Sequence, residues 1–177
     1  MFPVSAVTPA GTPADDSPGS ADLELVLRAM RTLAGAMPPT GVELKTVGQR
    51  MSAHVRTPAD VRFLGGCAVL HTGWKPAAVL VVDGRARLVD WAWAAGGAAW
   101  IDPALWVIWL IACGHSAAGA ESLAALHPAW DKIPVAHIDA FARAQQRLWE
   151  SIAQADPPGA WTHKVHAAAQ AWAERRT

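Results

Sequence analysis

Tyrosine is absent from the 177-residue chain, although tryptophan occurs ten times. Beside heavy use of alanine, arginine and glycine, this imbalance reads as a coding bias, and no chemistry is assigned to the tryptophan count. Cysteine is scarce too. Cys67 and Cys113 each sit in an apolar stretch and lack the spacing of a metal site. They read as buried free thiols of a reducing compartment rather than as a disulfide. Charge of one sign is not in excess, since 15 basic side chains balance 15 acidic ones. That balance argues against nucleic acid or an anionic membrane as partner. A long apolar run is also missing: the longest, residues 103–113, is well short of the roughly 20 residues a membrane span needs. The first twenty residues have neither the basic start nor the apolar block of a secretory signal. A cytoplasmic protein with no membrane or nucleic-acid partner is expected.

What is present falls into two parts. Residues 1–20 are rich in proline, glycine, serine and aspartate and poor in large apolar side chains. Such a segment buries too little surface to offset its ordering entropy, so a disordered tail is expected there. Residues 21–177 carry the periodic patterns of one domain. Ser20 precedes a helical repeat of Leu23, Val26, Leu27, Met30 and Leu33 that stops at Pro38-Pro39. A second amphipathic stretch is expected over 42–55, and a short helical turn after Pro58. Residues 67–70 read as a short strand, and residues 79–82 and 85–89 as a hairpin. The Asp83-Gly84 pair between two β-branched runs is the turn signal, because both turn positions need positive φ. Residues 91–101 then read as a loop loosened by Gly96-Gly97. Asp102 is expected to cap a helix buried nearly all round, from Ala104 to Cys113. Further helices are expected from Ser116 to Leu126, Pro134 to Ala155 and Ala160 to Arg175.

Chemistry-bearing residues converge on one region. The loop His71-Thr72-Gly73-Trp74-Lys75-Pro76-Ala77-Ala78 follows a strand, and Asp90 ends the hairpin that comes next. Eleven residues lie between Ala78 and Asp90, the length of a tight hairpin that brings Asp90 back beside the loop. Loop and aspartate are therefore expected to share one pocket.

This order of strand, histidine-led loop, hairpin and strand-terminal aspartate resembles the catalytic core of kinase-like phosphotransferases. Protein kinases write the loop H-R-D-L-K-P-E-N; here it is H-T-G-W-K-P-A-A. The segment LVDWAWAAGGAAWIDPALWVIWLIACGH is similar to the aminoglycoside phosphotransferase branch, in which this aspartate is followed by tryptophan. The resemblance covers residues 44–177 and is strongest over 69–115. It implies an α+β, predominantly helical fold: a protein-kinase-like C-lobe with one small β-hairpin and no N-lobe. It further implies that His71 supports the loop, Lys75 contacts phosphate and Asp90 binds metal, with ATP and Mg²⁺ as the family's cofactors.

Two positions depart from that pattern. Gly73 stands where the family has its catalytic base, and Ala78 where an asparagine is the second metal ligand. Loss of a general base costs about 10²–10⁴-fold, so no catalytic residue is intact and binding of ATP or Mg²⁺ by this chain is doubtful. Nor does anything before residue 44 read as the sheet and phosphate-covering loop that clamp the nucleotide. A catalytically impaired pseudoenzyme is the first expectation. One alternative is a small-molecule phosphotransferase, acting on an aminoglycoside or related hydroxyl and completed by a separate N-lobe. The other is a helical interaction module that docks a second copy of itself. Plainer roles stand beside the sharp ones: Asp90 as a turn former, Lys75 as plain surface, Asp102 as a helix cap. Trp91, Trp93 and Trp100 read as lining a pocket or sealing the core, and His163 and His166 as surface composition.

Overall fold

The computed structural model of the chain describes residues 11–38 and 40–177, and the fold is α+β and predominantly helical. Helix α1 (Asp22–Ala34) forms where the apolar repeat predicts, and Leu23, Val26, Leu27, Met30 and Leu33 are all buried. Ala21 precedes its first residue and supplies no capping side chain, while the Ser20 hydroxyl one position earlier accepts a hydrogen bond from the Asp22 N–H at 3.2 Å. The second stretch is shorter than its periodicity predicts. Only Val47–Met51 is helical (α2), because Thr46 closes a capping box with Gln49 and simultaneously bridges Gly96 in extended conformation. A 3-10 turn then spans Pro58–Leu64.

Among the described residues five short strands form two sheets. In one sheet β1 (Thr12–Pro13), β3 (Val79–Val82) and β4 (Arg85–Leu88) lie in the order β1-β3-β4, all antiparallel. The hairpin is the expected one: Asp83 and Gly84 have φ of 49° and 68°, and Gly84 supplies the second left-handed position without a Cβ penalty. In the other sheet β2 (Ala68–Leu70) pairs with β5 (Ala95–Gly97). Strand β5 occupies what the sequence presents as a loop. Gly66 and Gly97 make it possible, because a Cβ on Gly66 would sit 2.5 Å from the carbonyl oxygen of Gly97.

The expected tail also needs correction. Residues 1–10 lie outside the described residues, but residues 11–20 are ordered against the domain. Pro13 pairs with Leu80, the Ala14 N–H reaches the Val79 carbonyl at 2.8 Å, and the Ala14 side chain is buried. The His115 ring donates from Nε2 to the Asp16 carbonyl at 3.0 Å. Backbone pairing holds this segment, and composition carries no sign of it. Asp16 is only 2% exposed, and neither carboxylate oxygen finds a hydrogen-bond partner among the described residues. Burial pushes its pKa up to about 7, with Asp15 and Asp22 adding repulsion and the nearby Trp106 indole offsetting part of it.

Helix α3 (Ile101–Ala112) is the centre of the core. Ile101, Trp106, Val107, Ile108 and Leu110 are essentially inaccessible, and each such side chain contributes roughly 1.5–3 kcal/mol by leaving water. The helix packs against α4 (Ala117–Ala124) and α6 (Trp161–Arg175), and α6 packs against α5 (Val135–Ala155). Trp109, Trp149 and Trp161 meet with ring centroids 5.9 Å apart in each pair. Glu121 ties α4 to the end of α6, accepting from the Trp172 indole at 2.7 Å and from Arg175 and Arg176. Arg176 reaches on to Asp139 of α5 at 3.1 Å. Both cysteines are free as expected, but Cys67 is exposed rather than buried and Cys113 is intermediate. No helix among the described residues is long and apolar enough to cross a membrane.

Candidate functional site

Strand β2 delivers His71 into the interior, where its side chain is fully buried. The ring Nε2 donates to the Val89 carbonyl at 2.8 Å, while Nδ1 accepts from the Gly73 N–H at 3.3 Å. Each ring nitrogen has its own backbone partner. One histidine thus fastens the start of the loop to the end of the hairpin. Both ring nitrogens are therefore engaged, and neither is free to act as a base.

A second fastening comes from α3. Asp102 lies in the first turn of that helix, 3% exposed, and accepts from the His71 N–H at 2.9 Å and from the Thr72 N–H at 2.9 Å. The aspartate beside Pro103 is therefore the anchor of the histidine loop rather than a cap of its own helix. Burial raises its pKa, and the Trp74 indole and the two amides pull it back. Sequence spacing gives no hint of this bond, because the partners are 31 and 30 positions apart. Thr72 can sit under the carboxylate because it adopts a left-handed φ of 59°, and its hydroxyl donates to the Trp93 carbonyl.

Beyond Thr72 the loop opens. Gly73 carries no functional group, and its φ is ordinary. An added Cβ would meet the His71 ring at 3.4 and 3.5 Å and the His71 carbonyl at 4.0 Å. Trp74 turns inward and is fully buried edge-on to His71, with ring centroids 5.5 Å apart. Residues Pro76–Ala78 make a 3-10 turn, and Ala78 is fully buried. Its carbonyl accepts from the Val89 N–H at 2.9 Å, which closes the hairpin onto the loop.

Asp90 follows in a left-handed conformation, φ 60° and ψ 61°, which an aspartate tolerates better than most residues. Its carboxylate pairs with the Lys75 ammonium at 2.9 Å. Lys75 lowers the Asp90 pKa by hydrogen bond and by charge. The sequence-predicted residues His71, Gly73, Lys75, Ala78 and Asp90 are therefore brought together, with Lys75 directed at Asp90. Trp91 covers the His71 ring edge-on at 4.8 Å, and its indole N–H reaches the Leu88 carbonyl at 3.1 Å. Trp93 is 64% exposed, and the Arg50 guanidinium lies 5.5 Å from its ring centroid. The Arg50 guanidinium also donates to the carbonyls of Trp93 and Ala94. Trp100, by contrast, is a core residue.

The donor set does not suit a magnesium ion, which needs several oxygen ligands in octahedral array. The Asp90 carboxylate is committed to an ammonium group and that of Asp102 to two backbone amides; positions 73 and 78 supply no side-chain oxygen. Among the described residues no three His, Cys, Asp or Glu side chains are grouped to hold a metal. No family model, curated protein or solved structure matches the chain.

Proposed function

We propose that this chain is a phosphotransferase-type C-lobe that no longer transfers phosphoryl groups and persists as a pseudoenzyme. One observation carries the reading. The histidine-led loop is held in place from two sides, by Val89 through the His71 ring and by Asp102 through the His71 and Thr72 amides. Yet the positions where the family has its base and second metal ligand are held by Gly73 and Ala78.

Phosphoryl transfer to a hydroxyl needs an acceptor for the hydroxyl proton and fixed positive charge around the transferring group. Glycine accepts nothing. Lys75 is the cation available, and its charge is answered at 2.9 Å by Asp90 rather than held free for an incoming phosphate. The ion pair is exposed and of small energetic worth, so its effect is on availability rather than on stability. What remains is a preserved frame around an empty catalytic position. Aminoglycoside-type hydroxyl acceptors and ATP belong to the functional ancestor in this reading.

The test is an ATP-consumption assay with Mg²⁺ and a panel of aminoglycoside and other polyol acceptors. Wild-type turnover is expected to equal the no-protein background. Acceptor-dependent turnover that Lys75→Ala or Asp90→Asn abolishes would refute the pseudoenzyme reading. Gly73→Asp is the companion variant, since a Cβ at position 73 meets its neighbours at ordinary contact distances of 3.4 Å and beyond. Tighter ATP binding or slow turnover on that substitution alone would support the surviving geometry.

A further inference from the structure

A cavity of about 600 Å³ opens between the 3-10 turn Pro58–Leu64 and the first half of α5, and it shares no lining residue with the His71–Asp90 site. We infer that this cavity binds a small organic molecule carrying two or more phosphate groups. The inference stands on the cavity's own residues and is independent of the phosphotransferase reading.

Four arginines line it: Arg56 and Arg62 from one wall, Arg143 and Arg147 from α5. They are four of only 15 basic residues in a chain with no net charge, so the concentration is local. Among the described residues none of the four makes an ion pair, although six such pairs form elsewhere. Asp60 is the one acid in the lining, and its carboxylate already accepts the Thr57 N–H at 3.0 Å. Arg143 and Arg147 are spaced i, i+4, where like charges repel along an isolated helix. Four arginines against the single Asp60 carboxylate leave the lining with an excess of positive charge, although Arg147 Nε already donates to the His54 carbonyl at 2.7 Å. Arginine's planar fork matches phosphate oxygens in pairs.

The same wall adds a second anion-attracting feature. Helix α5 opens at Val135 with no acidic residue in its first turn and no capping side chain, and Ala136 and His137 of that turn line the cavity. The amide groups there are positively polarised and favour negative charge. His137 stacks on Phe63 with centroids 5.0 Å apart and 20° between planes. That pair gives the cavity a flat floor suited to an uncharged portion of the ligand. The volume falls within the usual range for small-molecule pockets, about 300–1,000 Å³, so it holds a nucleotide-sized metabolite. A polycationic aminoglycoside is repelled.

The probe is sodium tripolyphosphate, titrated calorimetrically into the full chain with EDTA present and, in a second arm, adenosine triphosphate under the same conditions. Saturable binding at micromolar to sub-millimolar concentration is expected, weakening as salt rises. Arg62→Gln and Arg143→Gln, each checked by its thermal melt, are each expected to weaken binding by about tenfold or more. Lys75→Ala is expected to leave it unchanged. Adenosine triphosphate binding more tightly than tripolyphosphate would show that the aromatic floor contributes, in support of the organic ligand. Absence of binding at millimolar tripolyphosphate would overturn the inference, and so would binding that survives both arginine variants or disappears with Lys75→Ala.

Discussion

Asp16 offers the sharpest quantitative test of the fold. Its carboxyl is 2% exposed, neither oxygen finds a hydrogen-bond partner among the described residues, and burial, offset in part by the nearby Trp106 indole, pushes its pKa from an ordinary 3.8 to about 7. The folded protein therefore keeps this proton up to near neutrality, while the unfolded chain releases it around pH 4. Between those values the folded form binds more protons, so stability falls as pH rises, and above about pH 7 the loss is complete. The groups around it are Asp15, Asp22, Trp106, the His115 ring on its carbonyl and the Cys113 thiol. Substituting Asp16→Asn keeps the size and removes the titration. Relative to wild type, the variant should gain roughly 2–3 kcal/mol more at pH 8 than at pH 5. For a chain of this length that difference is a melting-temperature gap growing by roughly 5–10 °C. Urea denaturation at both pH values measures it, and referencing each value to wild type cancels the other titrating groups. Parallel pH profiles for the two proteins would show that Asp16 is solvated or partnered and that residues 11–20 do not pack as described.

Four further outcomes follow from the same geometry. Asp102→Asn puts an amide N–H against either the His71 or the Thr72 N–H; it should cost about 1–3 kcal/mol and speed hydrogen exchange at those two amides, and unchanged exchange would disprove the anchor. Gly97→Ala places a Cβ 2.8 Å from a Leu70 methyl and 3.2 Å from the Leu64 carbonyl, an overpacking worth about 1–3 kcal/mol; Gly73→Ala, with only the His71 ring at 3.4 Å, should be neutral or slightly stabilising in the same urea assay. Glu121 is pulled below its ordinary pKa of 4.5: burial opposes this, but Arg176, Trp172 and Arg175 outweigh it. Its contribution is therefore present above about pH 4.5 and lost as pH falls through its folded pKa, so Glu121→Gln should destabilise by roughly 2–4 kcal/mol at neutral pH and progressively less in acid.

The legible parts of the fold were those written in local pattern. The α1 face, the Asp83-Gly84 hairpin, the buried helix α3 and the Ser116 cap of α4 all appear where spacing or turn chemistry places them. What escaped is held by backbone groups of residues far apart. Strand β5 is Ala-Gly-Gly, with no alternation to announce it, and it exists because glycines let two backbones touch. The segment from Gly11 to Ser20 has a tail's composition, yet its amide and carbonyl groups find Val79 and His115. Likewise the meeting of loop and Asp90 was readable from hairpin length, whereas the Lys75 partnership and the Asp102 anchor were not. Each depends on where a side chain ends, which spacing alone does not fix. The arginine cavity was illegible for the same reason, since Arg56 and Arg62 reach Arg143 and Arg147 only through tertiary packing.

The ring of Trp109, Trp149 and Trp161 carries an optical consequence. With no tyrosine in the chain, indole chromophores dominate its near-ultraviolet absorption and emission. Three of them at 5.9 Å, in mutual orientations from 24° to 89°, are close enough to couple electronically, and a split circular-dichroism band is the expected signature. That band vanishes when α3, α5 and α6 part. The protein thus carries its own probe of whether its helices are docked, separable from helicity itself and free of any added label.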